Sequence, residues 1–104
     1  MNRNKYIINY LPSYIDDLSS ILKYISHDLK NPRAAKRLLD KVNKSISSRS
    51  YNPQSFEKYN RLRFSKFLWY RIYVDNYVIF YTVTENTINL ARILSNRQNF
   101  SSLL

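Results

Sequence analysis

The sequence predicts an α+β domain in the order β-α-α-β-β-β, an antiparallel sheet packed on a helical hairpin, ending in a short C-terminal helix or tail. Three observations predict it. Two amphipathic stripes, repeating at steps of three and four residues, meet at Asn31-Pro32. Runs rich in β-branched and aromatic residues then follow from Trp69 to Leu94, separated only by Asp75-Asn76 and Glu85-Asn86. Finally, the chain has 104 residues and is 44% hydrophobic, which suits one domain over residues 1–104 with one modest core.

Lys5 to Tyr10 (KYIINY) reads as the first strand. Pro12 stops it, because proline has no N–H to give a ladder. Ser13 is expected to cap the first helix, with Asp16 and Asp17 set where carboxylates favour the exposed N–H groups of a helix start. Ile15, Leu18, Leu22, Ile25 and Leu29 form its apolar stripe. His27 lies off that stripe near the helix end and reads as surface. Asn31 is expected to cap the second helix, with Pro32 in the first turn, where its missing N–H costs nothing. Ala35, Leu38, Leu39, Val42 and Ile46 make the second stripe, and Arg33, Lys36, Arg37, Lys41 and Lys44 occupy much of the remaining surface. The short joint implies an antiparallel hairpin.

Ser45 to Ser50 (SISSRS) fades into a loop, which Pro53 confirms. Between Arg49 and Arg71 come Lys58, Arg61, Arg63 and Lys66 against Glu57 alone. Tyr51, Phe56, Tyr59, Phe64, Phe67, Trp69 and Tyr70 are interleaved with them. Basic and stacking side chains together suit a single-stranded nucleic acid, since each base offers a π-face and each phosphate a charge. The same aromatics would also serve to pack a long connection onto the sheet. Trp69–Val74 and Tyr77–Val83 flank Asp75-Asn76 as a two-residue hairpin. The second of these strands is apolar on both faces, as a central strand should be. Thr87 to Leu94 forms the last strand, and Phe100, Leu103 and Leu104 would end a docking helix or tail. The sheet face away from the helices is expected to be partly open, and a substrate or partner would lie there.

Seventeen Lys and Arg against seven Asp and Glu give a net charge of +10, which favours an anionic partner such as nucleic acid, a ribosome surface or an acidic protein. With no cysteine and one histidine, disulfides, thiolate sites and His-built metal sites are set aside. No apolar run is long enough for a membrane span, and the N-terminus lacks the apolar segment of a secretory signal. A cytoplasmic protein without metal or cofactor is the expectation.

"LPSYIDDLSSILKYI", "NPRAAKRLLDKVNKSI", "YRIYVDNYVIFYTV" and "ARILSNRQNFSSLL" together resemble the RelE/ParE superfamily of bacterial toxins over nearly the whole chain. The resemblance implies the toxin of a type II toxin–antitoxin pair, neutralised by a small antitoxin that wraps it. It also implies a microbial-ribonuclease-like sheet with a helical hairpin. RelE-type members cut mRNA in the ribosomal A site, using the RNA's own 2′-hydroxyl as nucleophile. Such a site must deprotonate that hydroxyl, protonate the leaving oxygen and steady the phosphorane. Carried over by position, two RelE lysines fall on Arg71 and Tyr73. An arginine in the next strand falls on Val78, and a later one on Gln98, beside Arg97. The terminal tyrosine lands near Leu104. Arg71, Tyr73, Tyr77 and Arg97 remain as nuclease candidates, without an evident base.

The ending "RILSNRQNF" is similar instead to the "ILHxRxD" ending of ParE-type and plasmid-stabilisation toxins, with Ser95 for the His and Asn99 for the Asp. ParE-type toxins poison DNA gyrase by binding, which needs a docking surface and no catalytic set. That reading is preferred. A ribosome-dependent mRNA endonuclease is the alternative, and an unrelated basic nucleic-acid-binding domain is a distant third. Arg61, Arg63, Lys66, Arg92, Arg97 and Gln98 are the candidates for target or nucleic-acid contact. Arg92, in mid-strand, is expected to form a salt bridge or face the open side of the sheet.

Overall fold

The computed structural model describes residues 5–56, 58–59 and 68–97. Strand β1 (Ile7–Tyr10) leads into helix α1 (Pro12–Lys23), a π-helical turn (Tyr24–Asp28) and helix α2 (Pro32–Arg49). Strands β2 (Lys58–Tyr59), β3 (Trp69–Val74), β4 (Tyr77–Thr84) and β5 (Thr87–Ser95) follow. The sheet order is β1-β5-β4-β3-β2, with β4 at the centre. All neighbours are antiparallel except β1 and β5, which run parallel, Ile7 opposite Thr87 and Tyr10 opposite Leu90. The long connection that a parallel pair needs runs through both helices and then β2, β3 and β4. β2, unanticipated from sequence, is a two-residue edge paired with β3.

Helix α1 departs from expectation at its start. Leu11, not Ser13, is the N-cap, and no side chain caps the helix. Pro12 occupies the first turn, where its fixed φ and missing N–H are both tolerated. Ser13 is therefore already inside the helix, and its Oγ donates instead to the Ala91 carbonyl at 2.6 Å. The buried stripe is correspondingly rotated. Tyr14 is 1% exposed, whereas Ile15 is 49% exposed. Leu18, Leu22 and Ile25 pack as expected, joined by Ile21. Leu29 ends 55% exposed. Its N–H bonds the Tyr24 carbonyl five residues back, and this widened turn carries the chain off the helical stripe before Lys30 turns at φ 51°.

Helix α2 starts as read but does not fade at Ser45. It runs on to Arg49, because Ile46 is buried and continues the apolar stripe, and the expected loop begins only at the Ser50 cap. The Asn31 side chain accepts from Ala34 N–H at 3.1 Å, and Ala35, Leu38, Val42 and Ile46 are buried. Leu38, Val42 and Ile46 meet Tyr70, Ile72, Ile79, Tyr81, Ile88, Leu90 and Ile93 in the core between hairpin and sheet. Each such large apolar side chain contributes about 1.5–3 kcal/mol on burial.

The other sheet face is less open than expected. Trp69, Val78, Phe80, Ala91 and Leu94 form a second buried cluster there, packed with Leu11. β4 is thus buried on both faces, which explains its lack of alternation. Polar exposure on this face is confined to its margins: Asn9, Asn89, Thr82 and Thr84 share hydrogen bonds at one end, and Arg71 and Tyr73 stand on β3.

Candidate functional site

Strand alternation separates the nuclease candidates. On β3, Tyr70, Ile72 and Val74 point into the hairpin core, so Arg71 and Tyr73 point away from it. Tyr73 is 61% exposed, and the Arg71 guanidinium lies 5.5 Å from the Tyr73 ring centroid. The two form one cation–π pair, suited to holding a phosphate or a planar group. Tyr77 opens β4 and packs against the hairpin core, on the opposite side of the sheet. Burial, and then the nearby Tyr24, push its phenol above the ordinary range, which makes it a poorer proton donor than free tyrosine and leaves less of it as phenolate to act as a base.

Arg97 follows β5 in an exposed turn, its N–H donating to Ser95 Oγ at 3.3 Å. The neighbouring Asn96 N–H donates to the Asn76 carbonyl at 2.9 Å, which ties this segment to the β3–β4 turn. Arg97 therefore stands at the same end of the sheet as Tyr73 and Tyr77, with Tyr73 and Tyr77 on opposite faces. Arg61, Arg63, Lys66 and Gln98 lie outside the described residues, as do Asn99 and the expected terminal helix or tail. Among the described residues no three His, Asp or Glu side chains cluster as a metal site would require.

Arg92 has a defined setting. The β4–β5 register shifts so that Tyr81 faces Leu90 and Phe80 faces Arg92, leaving Ala91 as the extra residue of a bulge. Here β1 no longer covers the edge of β5, and α1 takes over. Leu11 N–H donates to the Leu90 carbonyl, Ser13 Oγ to the Ala91 carbonyl, and Ile93 N–H to Asp17 Oδ2. The Arg92 guanidinium then grips Asp17 with two bonds, Nε to Oδ2 at 2.6 Å and Nη2 to Oδ1 at 2.9 Å. That bonding raises the guanidinium pKa further above its already high value, outweighing desolvation, so Arg92 is a permanent cation. A groove of about 300 Å³ lies beside the pair, bordered by Ser20, Tyr77 and Ser95. The "RILS" end of β5 is therefore half structural and half surface: its arginine locks helix to sheet, and its serine meets the groove.

Two anchoring residues escaped the sequence reading. Arg49, at the end of α2, donates through Nη1 to the Tyr81 hydroxyl at 2.9 Å and to the Arg71 carbonyl at 3.1 Å. Tyr81 in turn donates to the Pro53 carbonyl at 2.7 Å. This network fastens the loop after α2 to the sheet. Nothing in the sequence joins residues 32 positions apart, so the available signal was a tyrosine following the apolar run Val78–Phe80 of the central strand.

Comparison with known proteins places this geometry. The family model described as "ParE toxin of type II toxin-antitoxin system, parDE" matches residues 8–100. No curated protein sequence matches the chain significantly. Among solved structures, a chromosomal ParDE toxin–antitoxin system from P. aeruginosa is similar with a TM-score of 0.70 at 12% identity, covering 88% of this chain and 96% of that one. The RelB-RelE antitoxin-toxin complex from Methanococcus jannaschii gives a TM-score of 0.50 at 21% identity, covering 92% and 99%. At these identities the likeness is one of fold.

Proposed function

Because the chain belongs to the ParE toxin family of type II toxin–antitoxin systems, we propose that it arrests bacterial growth from the cytoplasm by binding and poisoning DNA gyrase. A cognate antitoxin neutralises it. The observation that carries this reading is the split of the nuclease candidates. Tyr77 is on the hairpin side of the sheet, Arg71 and Tyr73 on the other, and Tyr77 has a raised phenol pKa. In-line cleavage of RNA by its own 2′-hydroxyl needs a base and an acid on opposite sides of one phosphate, within hydrogen-bond reach of it. A poison that acts by docking needs no such set, only a surface. The structural neighbours named for antitoxin–toxin assemblies support the antitoxin as partner.

The alternative, a RelE-like ribosome-dependent mRNA endonuclease, draws on the Arg71–Tyr73 pair and the +10 charge. Induced expression in a bacterial host separates the two. Gyrase poisoning predicts loss of plasmid supercoiling with transcripts intact. Codon-phased cuts in translated mRNA, with supercoiling unchanged, would establish the alternative.

A further inference from the structure

The basic, aromatic stretch beginning at Arg49 does not enter the gyrase reading, yet part of it folds into a second site. A groove of about 410 Å³ runs between the C-terminal half of α2 and the β3 edge, lined by Lys44, Ser45, Ser48, Arg49, Phe56 and Ile72. Lys44 with Ser48, and Ser45 with Arg49, are pairs four residues apart, so they form adjacent rows on one helix face. Lys58 is the cross-strand partner of Tyr70, which points to the hairpin side, so Lys58 is directed to the same side of the sheet as the groove.

We propose that this groove binds a single-stranded nucleic acid, with a phosphate held by Lys44, Arg49 and Lys58 and a base stacked at Phe56. Arg49 is preorganised for this. Its Nη1 is fixed by the Arg71 carbonyl and the Tyr81 hydroxyl, and its Cζ lies 3.4 Å from the Phe56 ring centroid. Nε and Nη2 are left to meet a ligand. Among the described residues neither Lys44, Arg49 nor Lys58 is in an ion pair, in contrast to Lys41 with Asp75 and Arg92 with Asp17. Among the described residues no carboxylate lines the groove. Ser45 and Ser48 add hydroxyl donors for phosphate oxygens. Phe56 keeps 47% of its surface exposed, enough for a base to stack on a ring already backed by a guanidinium. The negative end of the α2 dipole opposes an anion here, but that effect is about 0.3–1 kcal/mol and confined to the last turn, against three cations at close range. An aromatic platform beside cations selects a strand with unstacked bases over a duplex, whose bases are occupied by one another.

The proposal is independent of the target: it concerns a binding event that gyrase inhibition does not report. The test is fluorescence anisotropy of the full-length chain with a labelled oligothymidylate of about twelve nucleotides, within the usual site size of such proteins. A duplex of equal length is the comparison. K44A/K58A and R33A/R37A each remove two positive charges, the second pair from the exposed far end of α2. We expect the strand to bind more tightly than the duplex. K44A/K58A should weaken it about tenfold and flatten its salt dependence, while R33A/R37A should change it about twofold or less. F56A, checked for unchanged melting, should weaken the strand about fivefold or more and leave the salt slope intact. Equal losses from the two double variants would show diffuse charge and overturn the site. So would equal binding of duplex and strand, or no binding by the unmodified chain.

Discussion

Tyr14 buries a hydroxyl that has no hydrogen-bond partner among the described residues, at 1% exposure in the helix–sheet core. An unpaired buried hydroxyl forfeits about 1–3 kcal/mol of solvation. Tyr14→Phe should therefore leave stability unchanged or raise it by about 1 kcal/mol in urea unfolding, and a clear loss would show that the hydroxyl is paired. Burial first, and Tyr10 second, push the Tyr14 phenol well above its ordinary value of 10.0. The folded state then keeps a proton that the unfolded chain releases, so stability falls as pH rises past the unfolded value. The fall should be shallower in Tyr14→Phe, with Tyr77 and Tyr81 supplying the remainder. One turn further along the same helix, Asp17 is 15% exposed and doubly bonded to Arg92, itself 25% exposed. Arg92→Ala should cost about 1–3 kcal/mol, because it leaves a largely buried carboxylate with only the Ile93 N–H. If toxicity is lost only where the variant has melted, Arg92 acts through the fold. Loss in a folded variant would make it a target contact.

At the scale of elements, the chain contains no glycine, yet Lys30, Asp75 and Glu85 take φ between 51° and 54°. The left-handed region costs a non-glycine residue roughly 1–2 kcal/mol. Lys30 and Glu85 are exposed, so Lys30→Gly and Glu85→Gly should each raise stability by about 1 kcal/mol. Unchanged or lower melting temperatures would mean that local hydrogen bonding already offsets the strain. Asp75 is different, because its carboxylate also meets Lys41 of α2 at 3.2 Å. Elements set by local chemistry were legible in advance. Asn31-Pro32 starts α2, and the strands on either side of Asp75-Asn76 begin and end within a residue of their expected limits. Features set by distant chain were not. Pro12 outcompeted Ser13 for the helix start, and an aliphatic stripe concealed Tyr14 as the buried residue. The parallel partnership of β1 with β5, and the grip of Asp17 on Arg92, join residues about 75 or more apart with no local sign. The candidate site suffered most, since a one-residue difference in strand position decides which face a side chain joins. Arg71 and Tyr73 fell together, and Tyr77 fell on the other side.

At the scale of the molecule, a chain of net charge +10 is built on a sheet buried on both faces, and the proposed docking end lies around Tyr73, Arg97 and the groove beside Arg92. A toxin that acts by docking tolerates loss of a single hydroxyl, whereas a nuclease relying on a tyrosine proton does not. Tyr73→Phe should therefore keep growth arrest within about threefold of the parent, while loss of the ring and cation in R71A/Y73A would weaken docking. Arrest abolished by Tyr73→Phe in a folded protein would point to proton transfer. The central claim, action by binding gyrase, is tested most directly by titrating the purified chain into a gyrase supercoiling reaction. Supercoiling should be inhibited at concentrations near those of the enzyme. Full supercoiling at a large molar excess of the folded chain would contradict it.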